Sequence, residues 1–222
     1  MMITKAKLLK LLNPHLKKLG FIEFKDSNLG FQGLFCKKIK NGLYLTLGLT
    51  IHRYYDNFFT GDYYLSKNTI IGATWGDIPN ESYERIGFLL KDTERAIYPE
   101  DEINVKGTHD IWWNASEEKS VLDFLRVIEL TEPRFINQPE LLLKIRESQE
   151  VKILFTYSKE VREMVASNLL NETTEKKHGE TPKIWLTAAE QVLKNNKEIV
   201  NTYTVKRLAM DAYRQKQLDD NI

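Results

Sequence analysis

A single cysteine, Cys36, stands among 222 residues. That excludes an intramolecular disulfide and any multi-cysteine metal site, and it fits a reducing compartment. Long hydrophobic runs are missing as well. No stretch of about twenty apolar residues occurs, so no membrane span is expected. The leucine-rich start is interrupted by Lys10, Asn13, Pro14 and His15 before the apolar segment of a signal peptide can form, and cytoplasm is the expected compartment. Glycines are few, and Gly48 and Gly87 stand alone instead of in phosphate-cradling loops; isolated glycines of this kind mark close backbone packing or bulges. Charge of one sign is also lacking. The 32 basic and 31 acidic residues leave a net +1, too small to draw the chain onto nucleic acid or an anionic membrane.

Histidine is scarce: His15, His52, His109 and His178 are the whole set, and no His-Glu-x-x-His pair is present. A zinc site needs three or four converging ligands, so neither a metal nor another cofactor is expected. In a strand, the adjacent His109 and Asp110 point apart and make a poor acid–base couple. The run Glu100-Asp101-Glu102 lacks the alternate ligands and turn glycine of a hard-cation loop, and reads as a solvated turn. Cys36, with no histidine at catalytic spacing, reads as a packing residue. The acids Asp77, Glu81 and Glu84 beside Arg85 leave one enzymatic alternative, a metal-dependent hydrolase or nuclease using acids of the 77–110 region.

What the chain does have is pattern. Leu9, Leu12, Leu16 and Leu19 recur at helical spacing between lysines, with Thr4 as a cap, Pro14 as a kink or restart, and Gly20 as the terminator. Leu43, Leu45, Leu47, Leu49 and Ile51 alternate with Tyr44, Thr46, Gly48, Thr50 and His52, the strongest strand signal present. Asn41-Gly42 before it predicts a hairpin with Phe31 to Lys40. Further strands are predicted at Thr69 to Trp75 and Arg85 to Leu90, weaker ones at Ile103 to Val105 and Ile111 to Trp113, and a last one at Val151 to Tyr157. A helix through Val121, Phe124, Leu125 and Ile128 is expected to start at Ser116 and stop at Pro133, and a second to open at Pro139. Beyond Ser158 the chain reads as helical, with stripes at Val161, Met164, Val165 and Leu169, then Trp185, Ala189, Val192 and Leu193 behind Thr181-Pro182, then Leu208 and Tyr213, and a polar loop at 171–180. Strands grouped before helices predict an α+β fold: an antiparallel sheet with the first helix packed on it, occupying 1–157, and a helical segment at 158–222 packing against it.

The order of Asn13-Pro14-His15-Leu16-Lys17-Lys18-Leu19-Gly20-Phe21, Leu45-Thr46-Leu47-Gly48-Leu49, Arg85-Ile86-Gly87-Phe88 and Asp110-Ile111-Trp112-Trp113 resembles the bacterial family labelled domain of unknown function 4304, over about residues 4–155. The resemblance implies a cytoplasmic bacterial α+β domain with no catalytic residues to carry over, and an inhibitor or immunity role.

Two imbalances bear on function. Residues 1–40 carry nine lysines and two acids, whereas 77–150 carry seventeen acids and nine bases, an arrangement suited to oriented contact with another protein or to internal pairing. And six of the 24 aromatics, Tyr54, Tyr55, Phe58, Phe59, Tyr63 and Tyr64, fall within eleven positions, with a further doublet at Trp112-Trp113. In a strand each doublet sends one ring to either face, so either the sheet is covered on both sides or one face offers rings to a partner. These eight residues are the candidate binding set for a non-catalytic, protein-binding or immunity-type module. The charges around the doublets cancel, which argues against a nucleic-acid groove.

Overall fold

In a computed structural model, residues 5–25, 32–55, 57–70, 81–105, 107–138, 149–167 and 181–221 are described. The fold is α+β. Helix α1 (Lys5–Lys18) precedes a six-stranded sheet: β1 (Ile22–Glu23), β2 (Gly33–Lys38), β3 (Tyr44–Ile51), β4 (Phe58–Ser66), β5 (Glu81–Arg85) and β6 (Trp113–Asn114). A one-turn helix, α2 (Asp92–Arg95), lies between β5 and β6. Four further spans are helical: α3 (Glu118–Ile136), α4 (Gln149–Ser167), α5 (Lys183–Asn195) and α6 (Thr202–Asp219). All strand pairs are antiparallel, in the order β1-β2-β3-β4, with β5 and β6 sharing the other edge of β4.

Alternation along the strands creates two faces with different covers. Leu45, Leu47, Leu49, Phe59, Tyr63 and Leu65 meet α1 through Leu8, Leu12 and Leu16, and α3 through Val121, Phe124, Ile128 and Phe135. Leu8, not Leu9, centres the α1 stripe, and Leu9 is only partly buried. On the opposite face Phe24, Leu34, Cys36, Tyr44 and Tyr64 close over Leu218 of α6. The helices α4, α5 and α6 build their own core around Leu154, Val161, Trp185, Val192, Leu193 and Leu208. One carboxylate joins that core to the end of β4. Asp211 is fully buried and accepts hydrogen bonds from Thr69 N (2.7 Å), Thr69 Oγ1 (2.6 Å), Ser158 Oγ (2.5 Å) and Gln215 Nε2 (2.8 Å). Arg214 Nη1 donates to the Thr69 carbonyl at 2.6 Å. Burial raises the Asp211 pKa against the pull of those donors.

Several expectations are corrected. Val151 to Tyr157 is no strand but part of α4, because Ile153, Leu154, Ser158 and Val161, the buried positions, recur at three and four. A boundary at 157/158 therefore falls inside a helix. Pro133 does not stop α3, which runs to Ile136. Phe135 beyond it is fully buried and stacks on Tyr63 at 5.3 Å, a burial that offsets the roughly 3 kcal/mol cost of an internal proline. Pro14 likewise sits inside an unbroken α1. The strand expected at Arg85 to Leu90 ends at Arg85 and continues as a 3-10 turn over Ile86–Leu89, which drops Ile86 into the core. At Ile103 to Val105 the Asp101 carboxylate takes the amides of Ile103 (2.8 Å) and Asn104 (2.6 Å), so side-chain bonding replaces a ladder. Ile111 and Trp112 also lie outside a strand, and β6 is confined to Trp113–Asn114. The α3 cap is Glu117, without a side-chain capping bond, whereas α5 starts behind Pro182 as expected. Thr69 and Ile70 lie beyond β4. Expectations at Thr4, residues 71–80, the helix from Pro139, Leu169 and the 171–180 loop lie outside the described residues.

Candidate functional site

The eight aromatic candidates divide by burial. Phe59 and Tyr63 are fully buried, Tyr64 is 3% exposed and Trp113 2%. These four are core residues. Phe59 and Trp113 both meet Phe124 edge-on, at 4.8 and 5.0 Å between ring centres. The Tyr63 hydroxyl donates to the Ile128 carbonyl at 3.3 Å, and Tyr64 stacks on the half-exposed Tyr83 at 5.7 Å. The other four reach solvent: Tyr54 is 76% exposed, and Tyr55, Phe58 and Trp112 are each partly exposed. They gather where β3 turns into β4.

His52 organises this cluster, for a local reason. It ends the alternating segment, and its Nδ1 accepts the backbone amides of Tyr54 (3.1 Å) and Tyr55 (3.2 Å) that the turn leaves without ladder partners. The imidazole meets Trp112 edge-on at 4.5 Å and Tyr55 at 4.9 Å, and Tyr55 in turn meets Phe58 at 6.4 Å.

Beneath the rings lies an ion-paired frame on the same face. Register pairs Asp62 of β4 with Arg85 of β5, and Arg85 Nε donates to Asp62 Oδ1 at 3.1 Å while its Nη1 donates to Asp110 Oδ2. That same Asp110 oxygen accepts Trp112 Nε1 at 3.0 Å, and the guanidinium lies 5.3 Å from the Trp112 ring centre. Trp112 is therefore held at its nitrogen and over its face. Burial pushes the pKa of Asp62 and Asp110 up, opposed by Arg85. For Arg85, burial acts against the charge, but the two carboxylates outweigh it and keep the group cationic. Asp110 Oδ1 and Thr60 Oγ1 are buried without a hydrogen-bond partner among the described residues. At the outer rim the Tyr55 hydroxyl lies in the field of the Glu102 carboxylate. Burial, then the Glu102 carboxylate and the Asp101 charge, raise the Tyr55 pKa.

Other concave regions differ in character. A cleft of about 370 Å³ beside Asp110 is lined by Arg95, Tyr98, Asn104 and His109, and Arg95 Nη1 bonds His109 Nδ1 there. At the β2–β3 end a recess of about 1010 Å³ has Leu19, Ile22 and Leu43 as its apolar part and Lys37, Lys38 and Lys40 among its lining. Among the described residues no three His, Cys, Asp or Glu side chains converge as a metal site. Asp77 lies outside them, Glu84 Oε1 accepts the Arg85 amide at 3.1 Å, and Cys36 is buried with its thiol pKa pushed up to about 12 by burial. No helix among the described residues is long and apolar enough to cross a membrane.

The sequence reading missed His52, Asp62, Arg85 and Asp110 as a unit. Alternation from Tyr64 places Asp62 and Thr60 on one face, which is a usable signal. The convergence of Asp110 on Arg85, by contrast, depends on β5 and the segment before β6 sharing one edge of β4. Compared with protein-family models, curated proteins and solved structures, the chain matches none.

Proposed function

We propose that this chain is a non-catalytic protein-binding module, of an immunity or inhibitor type in a bacterial cytoplasm, that grips a partner protein with the rings of Tyr54, Tyr55, Phe58 and Trp112. The observation that carries the reading is the fixing of partly exposed aromatic rings by His52 and by the Asp62–Arg85–Asp110 frame. Ring surface ordered before binding loses little side-chain freedom on contact, and Tyr and Trp so placed are the residues that dominate interface energies. The resemblance to domain of unknown function 4304 supports the compartment and the inhibitor type. The test is affinity capture from native cells with wild type, Tyr54→Ala, Trp112→Ala and, as a remote exposed-ring control, Tyr203→Ala. Proteins lost from the first two variants and kept by the control are the expected outcome, with circular dichroism showing that all are folded. The same captured set for all four proteins would remove the interface from this patch.

A further inference from the structure

We infer that the partner surface received by this patch is basic, and that an arginine or lysine side chain of the partner lodges against the rings of Tyr55, His52 and Trp112. This deepens the protein-binding reading and rests on it. The first argument is charge. Asp62, Asp101, Glu102 and Asp110 stand around the rings against Arg53 and Arg85. Arg53 lies over the Tyr54 ring at 5.5 Å, at the Tyr54 end of the patch, and Arg85 is consumed by two carboxylates at once. Among the described residues the solvent-facing rim at the Trp112 end is acidic: Asp101 and Glu102 are both exposed, and their turn is held beside Trp112 by the Trp112 amide, which donates to Asn104 Oδ1 at 2.8 Å, and by the Asp101 carboxylate, which accepts the Ile103 and Asn104 amides. The second argument is ring geometry. Trp112 and Tyr55 both meet His52, at 4.5 and 4.9 Å between centres, which bounds an aromatic corner, and a cation over such faces is attracted by the ring quadrupole. Arg85 already uses the Trp112 face in this way from within the fold. A phosphate backbone presented to the same corner meets the acidic rim and is repelled, so the observations favour a basic protein over a nucleic acid.

The experiment titrates the full chain with an oligo-arginine peptide, following tryptophan fluorescence and heat at low and at physiological salt. Oligo-glutamate and a single-stranded oligonucleotide serve as counter-probes. The expected result is oligo-arginine binding that weakens as salt rises. It weakens on the order of fivefold in Glu102→Gln, is unchanged in Glu129→Gln, where an exposed acid is removed from α3, and loses its fluorescence signal in Trp112→Phe. No binding, equal weakening in both glutamate variants, or binding of either counter-probe would overturn the assignment. The protein-binding reading fails separately: if Trp112→Ala changes the captured proteins while oligo-arginine does not bind, only the charge of the partner is wrong.

Discussion

Gly61 occupies the middle of β4, where it faces the core below α3. A Cβ built there would lie 2.7 Å from Ile86 Cδ1, 3.0 Å from Leu47 Cδ1 and 3.2 Å from Phe124 Cζ. Gly61→Ala should therefore destabilise the fold by about 1–3 kcal/mol, as overpacking does, measured as a lower urea midpoint at an unchanged slope. Glu94 offers a pH handle. Its two oxygens accept both terminal nitrogens of Arg134, at 2.6 and 2.7 Å. The Arg134 hydrogen bond first, and the Lys91 amide second, hold its pKa down from 4.5 to about 2. Because the folded value lies below the unfolded one, this group stabilises the protein above about pH 4.5, and the contribution disappears as pH falls toward 2. In a series of urea unfolding curves, Glu94→Gln should show a shallower loss of stability across that window than wild type; parallel curves would contradict it. Cys36 was legible from the sequence as a packing residue, and with its thiol buried and its pKa near 12 it should react with a disulfide reagent only as fast as the protein opens.

At the scale of elements, β3 and its hairpin were readable, since strict alternation from Leu43 to Ile51 and the Asn41-Gly42 pair leave few other readings; Gly42 does adopt a positive φ of 71°. What could not be read is where tertiary burial overrides a local stop. Pro133 looks like an end until Phe135 is seen filling the core behind it. The span from Val151 to Tyr157 shows the converse ambiguity, because a short β-branched run fits either period until its burial is known. Burial in α4 gives a direct check. Leu154→Ala should cost about 2–5 kcal/mol and Phe155→Ala less than about 0.5 kcal/mol, since the first is fully buried and the second 62% exposed. Thermal unfolding of the two variants measures the contrast.

For the whole molecule, the aromatic doublets reported the two-sided cover of the sheet but not which ring stays in water. That choice is made by the shared edge of β4, by His52 and by the frame around Arg85, and it depends on contacts between segments far apart in the chain. The junction between sheet and helices depends in the same way on Asp211. Its removal leaves the Thr69 amide and the hydroxyls of Thr69 and Ser158 without their acceptor, so Asp211→Ala should cost about 3–5 kcal/mol. Calorimetry should show whether sheet and helices then melt apart instead of together. Leu218 adds a consequence in time. It seals the face carrying Cys36, Tyr44 and Tyr64, yet it leaves the ribosome long after them, on the order of ten seconds later at a usual elongation rate of about 5–20 residues per second. During that interval the nascent sheet carries an uncovered apolar side, which makes this stretch of synthesis the period when a chaperone has most to hold.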